Sequence, residues 1–204
     1  MRVLVFGDSI AYGAWDSQGG WVDRLKREAH QQTLESEGKN KLQIINLGIG
    51  GNSSTRILER LEAETTARYS ANWPLVFVFS FNANDERSRN DVPETSLEQF
   101  KQNTQAIIDI AKKHSDKILF VGTTPAGEPE VPFKDAVYSD ERIMEYEAAQ
   151  KAIVEAAGLP FIDVREAFES AEENVFSYDK LHPNDAGHAL LAEIVKPKLW
   201  ELIG

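Results

Sequence analysis

Five short runs of apolar residues, each followed by a longer segment with helical periodicity, constrain the fold of this chain more than any other feature. The runs cover residues 3–6, 42–47, 75–81, 118–121 and 161–164. Such apolar runs are typical of strands covered on both faces in a parallel sheet. The helical segments cover residues 20–35, 54–69, 96–114, 140–157 and 185–202. The alternation predicts a three-layer α/β chain with a doubly wound, mostly parallel five-stranded sheet.

Local signals at the ends of three helical segments support this prediction. Thr95 and Glu98 have the spacing of a capping box, which predicts the start of the third helix. Gly158 followed by Pro160 predicts the end of the fourth helix, and Asn184 is placed to cap the last one. No internal repeat or linker interrupts the pattern, so we expect one domain over residues 1–204.

Composition excludes several classes of protein. Lys and Arg number 22 against 33 Asp and Glu, a net charge of −11, which argues against binding to nucleic acid or to anionic lipid. The absence of cysteine excludes thiol nucleophiles, disulfides and Cys-ligated zinc. No stretch approaches the roughly 20 apolar residues of a membrane span, and the apolar run at 3–6 is too short for a signal peptide. We therefore expect a cytoplasmic protein without membrane insertion.

Ligand sites of doubly wound sheets lie beyond the carboxyl ends of the strands, so the residues there are informative. After the first run comes Gly7-Asp8-Ser9, in which Ser9 would stand at the mouth of the sheet. Taken alone, this segment reads as an ordinary turn. After the second run, a loop with Gly48, Gly50 and Gly51 leaves backbone N–H groups free to face an anion.

Polar groups suited to acyl chemistry occur at two later points of the chain, after the third apolar run and just before the last helical segment. Asn84, beyond the third run, offers an uncharged amide donor for an oxyanion, although a lone Asn more often caps a turn. Asp179 precedes His182 by three residues, so its carboxylate can orient the imidazole and leave one ring nitrogen to act as a base. His188 lies inside the last helical segment, where packing is the expected role.

Taken together, these segments resemble the conserved blocks of the SGNH hydrolases, also called the GDSL family of esterases and lipases. The matching segments, in family order, are Gly7-Asp8-Ser9-Ile10, Asn46-Leu47-Gly48-Ile49-Gly50-Gly51-Asn52, Asn82-Ala83-Asn84-Asp85 and Asp179-Lys180-Leu181-His182-Pro183. The resemblance spans residues 7 to 183, nearly the whole chain. It implies the flavodoxin-like SGNH hydrolase fold and a serine esterase that cleaves a small-molecule carboxylic ester without a metal or cofactor.

The resemblance also implies roles for particular residues. Ser9 is expected to be the nucleophile, His182 the general base and acid, and Asp179 the residue that orients His182. The oxyanion hole is expected to comprise the backbone N–H groups of Ser9 and Gly51 and the side-chain amide of Asn84, with Gly50 as the alternative to Gly51. The chain departs from the family at Asn82, where family members commonly have Gly. We expect Asn82 either to crowd the loop or to adopt a positive φ.

The substrate is less constrained than the reaction. Tyr12 and Trp15 follow Ser9 and could line an acyl or aromatic pocket, whereas Trp21 is expected in the core. Residues 127–138, stiffened by proline, are expected to form a rim over the site. Short or soluble acyl esters are therefore favoured. A non-catalytic binding module on the same scaffold and a phosphate-handling flavodoxin-like domain are the alternatives, and the oligomeric state is left open.

Overall fold

Strands and helices alternate along most of the structure, a computed structural model that describes residues 1–204. The strands are β1 (Arg2–Gly7), β2 (Gln43–Gly48), β3 (Leu75–Ser80), β4 (Ser88–Arg89), β5 (Val92–Pro93), β6 (Ile118–Val121), β7 (Glu130–Phe133), β8 (Ala136–Ser139) and β9 (Phe161–Ile162). The helices are α1 (Ser9–Tyr12), α2 (Gly20–Glu35), α3 (Ser54–Arg68), α4 (Ala83–Glu86), α5 (Leu97–Lys112), α6 (Asp140–Ala156), α7 (Arg165–Glu169) and α8 (Asp185–Ile203). No helix has both the length and the apolar character needed to cross a membrane.

The main sheet has the five strands that the apolar runs predict. Its order is β2-β1-β3-β6-β9, and every neighbouring pair is parallel. All six residues of β3 are buried, as expected for the central strand of a sheet covered on both faces. The predicted three-layer α/β fold is confirmed. The last strand is shorter than predicted, because the chain turns at Val164 into the short helix α7.

Alternation of side chains along the strands divides the core into two apolar layers. Val3 and Val5 of β1 pack on the layer that α2 and α8 cover, together with the fully buried Trp21. Leu4 and Phe6 point to the other face, where α3, α5 and α6 supply the covering side chains. The loops at the carboxyl edge therefore begin from strands that are packed on both faces.

A second, antiparallel sheet of order β5-β4-β8-β7 lies beyond the carboxyl edge of the main one. Its longest pairing is the hairpin β7–β8, with Phe133 opposite Ala136 at the turn. The sequence predicts a rim over residues 127–138 but does not predict strands there. Proline at 129 and 132 and charged residues hide the alternation that would mark a hairpin.

Two of the three predicted helix ends are confirmed and one is wrong. Asn184 caps α8 by accepting from the N–H of Gly187, and Gly158 follows α6 with a φ of 73°. The cap of α5 is Ser96, which accepts from the N–H of Gln99, and not Thr95. Thr95 is buried and its N–H donates to the backbone oxygen of Asp85, so tertiary contacts occupy the residue that local spacing favoured.

Candidate active site

The end of β1 places Ser9 at the carboxyl edge of the sheet, as the first residue of α1. Asp8 caps this short helix, with its carboxylate accepting from the N–H of Ile10 at 2.9 Å. Burial raises the pKa of Asp8 to about 6, although that N–H group and the charge of His182 lower it. The N–H of Ser9, at the start of a helix, has no intrahelical acceptor and is free to bind a ligand.

The turn before α8 brings His182 to Ser9 across the whole length of the chain. Nε2 of His182 lies 2.8 Å from Oγ of Ser9, and Nδ1 lies 2.7 Å from Oδ2 of Asp179. His182 is 6% exposed, so its imidazole is largely shielded from water. Since the carboxylate can only accept, Nδ1 carries the proton and Nε2 is left to accept the Ser9 hydroxyl proton.

Asp179 is fixed by its own turn. Its Oδ1 accepts from the backbone N–H groups of Leu181 and His182, at 3.1 and 3.0 Å. Burial favours the neutral acid, but the hydrogen bonds and charge of His182 outweigh it and lower the pKa of Asp179. The carboxylate is therefore ionised at neutral pH and able to stabilise an imidazolium ion.

The glycine loop after β2 faces Ser9 from the other side. The backbone N–H groups of Gly50 and Gly51 donate to no acceptor within the protein, so both remain available to an anion. Gly51 has a φ of 79°, a conformation that favours glycine. Arg60 anchors the loop by donating to the side-chain oxygen of Asn52 at 2.9 Å and to the backbone oxygen of Leu47 at 2.7 Å. The sequence interpretation missed this anchor, because no local pattern links Arg60 to the loop.

Asn84 completes the rim from α4, directly after β3. Its Oδ1 accepts from the hydroxyl of Tyr138 at 2.9 Å, which fixes which way the amide points. Its Nδ2 makes only long contacts, 3.2 Å to the backbone oxygen of Asn52 and 3.4 Å to Asp8. A stronger acceptor in the cleft would compete well for this amide. Tyr138 lies on the hairpin that sequence analysis did not resolve.

Asn82 neither crowds the site nor strains the backbone. Its φ is 170°, which is extended backbone, so the predicted positive φ is wrong. The side chain is fully buried and donates to the backbone oxygen of Ile143 at 3.2 Å, away from the cleft. An asparagine is accommodated where the family commonly has glycine because its amide turns into the protein.

These groups surround one open cleft of about 550 Å³. Its apolar wall includes Tyr12, Trp15, Phe133 and Tyr138 together with Ile49 of the glycine loop. Trp21, by contrast, belongs to the core. The two charged side chains of the lining, Arg87 and Lys134, are cationic, although the chain as a whole is acidic. The cleft thus combines a hydroxyl hydrogen-bonded to an imidazole, free N–H donors and an aromatic wall.

Comparisons with known proteins identify the family and the fold. A family model described as the GDSL-like lipase/acylhydrolase family matches residues 5–190. A lipase/acylhydrolase from Enterococcus faecalis superposes with a TM-score of 0.72 at 22% identity, covering 97% of this chain and 94% of the other. The acetylxylan esterase Axe2 from Geobacillus stearothermophilus gives 0.71 at 18% identity, covering 97% and 93%. No curated protein sequence matches significantly.

Proposed function

Because this chain belongs to the GDSL-like lipase/acylhydrolase family, it is a carboxylic ester hydrolase, and we propose that it acts through a Ser9-His182-Asp179 triad and an acyl-enzyme. The observation that carries the proposal is the unbroken chain of hydrogen bonds from Oγ of Ser9 through the imidazole to Asp179, at 2.8 and 2.7 Å. A serine hydroxyl needs such a base to become a nucleophile.

In the first step Oγ of Ser9 attacks the ester carbonyl while Nε2 of His182 takes its proton. Asp179 holds the imidazole in the productive tautomer and stabilises the imidazolium that forms. The negative charge on the carbonyl oxygen is held by the N–H groups of Ser9 and Gly51 and by the amide of Asn84, with the N–H of Gly50 as the alternative to Gly51. Each well-placed donor lowers the barrier by about 3–4 kcal/mol.

Acylation ends when the C–O bond to the alcohol breaks and the imidazolium gives its proton to the leaving alcohol, which leaves the acyl group on Ser9. In the second half of the reaction a water molecule, deprotonated by Nε2 of His182, attacks the acyl-Ser9 ester. The bond between the acyl carbon and Oγ then breaks, the imidazolium returns the proton to Ser9, and the carboxylic acid is released. Apart from the substrate and water, these steps use only the chain's own groups. Cytoplasmic location stays a prediction from the sequence.

We propose short or soluble acyl esters as substrates. The cleft is open, and the hairpin β7–β8 covers one side of it without closing over Ser9. A graded series of p-nitrophenyl esters, with an acetylated xylo-oligosaccharide beside it, tests this preference. Activity that rises steadily towards long acyl chains contradicts it.

The experiment that tests the mechanism is labelling with a fluorophosphonate probe, which reacts only with an activated serine. We expect wild type to label at Ser9 and to hydrolyse p-nitrophenyl acetate, and Ser9→Ala to do neither while melting at an unchanged temperature. A folded wild type that neither labels nor hydrolyses esters favours a non-catalytic binding module on the same scaffold. Hydrolysis that survives in Ser9→Ala excludes Ser9 as the nucleophile.

A further inference from the structure

Trp15 stands out among the residues of the cleft because its backbone and side chain are both unusual. Its φ is 67°, in the left-handed region, where a bulky side chain costs about 1–3 kcal/mol. Trp15 as a residue is 53% exposed, yet Nε1 of its indole lies 2.8 Å from Oδ2 of Asp179. A strained residue persists only where its surroundings hold it in place.

Contacts with α8 hold the loop that carries Trp15. Nε2 of the buried His188 donates to the backbone oxygen of Ala14 at 3.1 Å. On the other side of Trp15, the N–H of Ser17 donates to Oδ1 of Asp185 at 2.9 Å. The chain on both sides of Trp15 is thus hydrogen-bonded to α8, the helix that begins shortly after His182. These contacts hold the indole beside Asp179. The packing role expected for His188 therefore includes this hydrogen bond.

The indole N–H is the fourth of four hydrogen-bond donors to the Asp179 carboxylate. Oδ1 already accepts from the backbone N–H groups of Leu181 and His182. Oδ2 accepts from Nδ1 of His182 at 2.7 Å and from Nε1 of Trp15 at 2.8 Å. Each carboxylate oxygen has two lone pairs, so these four donors satisfy the group completely. Without the indole N–H, one lone pair beside the imidazole faces water.

The indole ring also packs against the imidazole itself. The rings of Trp15 and His182 meet edge to face, with centroids 6.1 Å apart and planes at 86°, and the ring of Tyr178 lies against the indole at 5.7 Å. The indole therefore touches both members of the Asp179–His182 pair, one through its N–H and one through its ring.

We propose that Trp15 is a positioning residue that holds the Asp179 carboxylate against His182 by hydrogen bonding to the same oxygen that accepts the hydrogen bond from Nδ1 of His182. The inference rests on the proposed esterase function and deepens it. Neither the spacing of the motifs nor the resemblance to a family points to this contact, because the indole reaches Asp179 only through the folding of the loop.

Trp15→Phe tests the proposal, since it removes the N–H group while keeping an aromatic, though smaller, side chain in the wall of the cleft. We expect kcat for p-nitrophenyl acetate to fall about tenfold with KM little changed, because one hydrogen bond to a charged group is lost. We also expect the NMR resonance of the His182 Nδ1 proton to move, since its acceptor oxygen loses its second donor. This resonance is read in the protein without substrate.

Trp73→Phe is the matched control, because it removes an indole N–H at the opposite edge of the sheet, just before β3. We expect both its kcat and the Nδ1 resonance to equal those of wild type. If Trp15→Phe behaves like this control in both readouts, the proposal is wrong. In wild type, slow exchange of the Trp15 indole proton provides a check that needs no variant, and exchange at the rate of free indole also overturns the proposal.

The two proposals fail in different ways. If wild type hydrolyses no ester, the proposed function fails, while the Nδ1 resonance still reports whether Trp15 acts on the Asp179–His182 pair. If wild type is active and Trp15→Phe keeps both kcat and the resonance, only the role of Trp15 is lost.

Discussion

At the scale of single residues, the hydroxyl of Tyr138 sets the orientation of the Asn84 amide beside Ser9. The hydroxyl fixes the amide oxygen at 2.9 Å, and the amide nitrogen contacts the backbone oxygen of Asn52 at 3.2 Å and Oδ2 of Asp8 at 3.4 Å beside the cleft. Free N–H groups and a preoriented amide are what a developing oxyanion needs, because no reorganisation is required when the charge appears.

This arrangement predicts that a variant of Asn84 loses more activity than a variant of Tyr138. Asn84→Ala should lower kcat by about 10²–10³, the usual loss for one oxyanion donor, with a smaller change in KM. Tyr138→Phe should lower kcat by about tenfold, since the donor is retained and only its orientation is loosened. Steady-state kinetics on p-nitrophenyl acetate measures both. Equal losses in the two variants would contradict an orienting role for Tyr138, and an unchanged kcat in Asn84→Ala would remove Asn84 from the mechanism.

The sequence located more of these residues than it could connect. Ser9, Asp179 and His182 fall within short motifs whose spacing already indicates chemistry, and Trp15 and residues 127–138 were expected around the site. The hydrogen bonds that Trp15, Arg60 and Tyr138 make reach residues 13 to 164 positions away, and no local pattern encodes such contacts. These bonds become visible only in the folded structure.

At the scale of elements, the all-apolar strands were predicted well because a central parallel strand must be apolar on both faces. The observed β2 differs from the predicted run by one residue at each end. The hairpin β7–β8 was missed, since it is an exposed rim with proline and charged residues, and its pairing depends on tertiary contacts. Sequence patterning is therefore most informative in the core and least informative at the mouth of the cleft.

Close packing between β2 and α1 positions Ser9, and it depends on Gly48. A Cβ at this residue would lie 2.2 Å from the backbone nitrogen of Tyr12, where neither strand nor helix can yield without moving Ser9. We expect Gly48→Ala to lower the free energy of unfolding by about 1–3 kcal/mol and to reduce kcat. Urea denaturation and ester hydrolysis measure the two effects.

Gly50→Ala is the matched control for stability. Its Cβ would lie 4.0 Å from that of Ser9, an ordinary contact, and Gly50 has no positive φ. We expect its free energy of unfolding to stay close to that of wild type. If both variants are equally stable, the approach of α1 to β2 is not what restricts residue 48 to glycine.

At the scale of the whole molecule, four buried carboxyl groups link stability to pH. Burial raises the pKa of Asp8 and Asp85 to about 6 and that of Glu86 and Glu147 to about 7. Between about pH 4 and pH 7 the folded protein therefore holds protons that the unfolded chain has released. Stability supplied by these groups is present at acidic pH and is lost as the pH rises through the folded pKa values. His188 has the opposite effect on stability, because burial lowers its pKa. Below about pH 6.5 the unfolded chain binds a proton that the folded protein does not, so this residue lowers stability as the pH falls.

Glu147 on α6 isolates this effect, since its partner is a backbone group and not a cation. The N–H of Thr123 donates to its Oε2 at 3.0 Å, and Glu147 is only 6% exposed. Glu147→Gln keeps an acceptor for that N–H and removes the ionisable group. Since one pKa unit is worth about 1.4 kcal/mol, we expect the variant to gain up to about 3 kcal/mol of unfolding free energy at pH 8 and little at pH 5. Urea denaturation at both values measures the difference, with Glu145→Gln on the exposed face of the same helix as the control. A gain that is the same at pH 5 and pH 8 would mean that proton release from Glu147 does not limit stability.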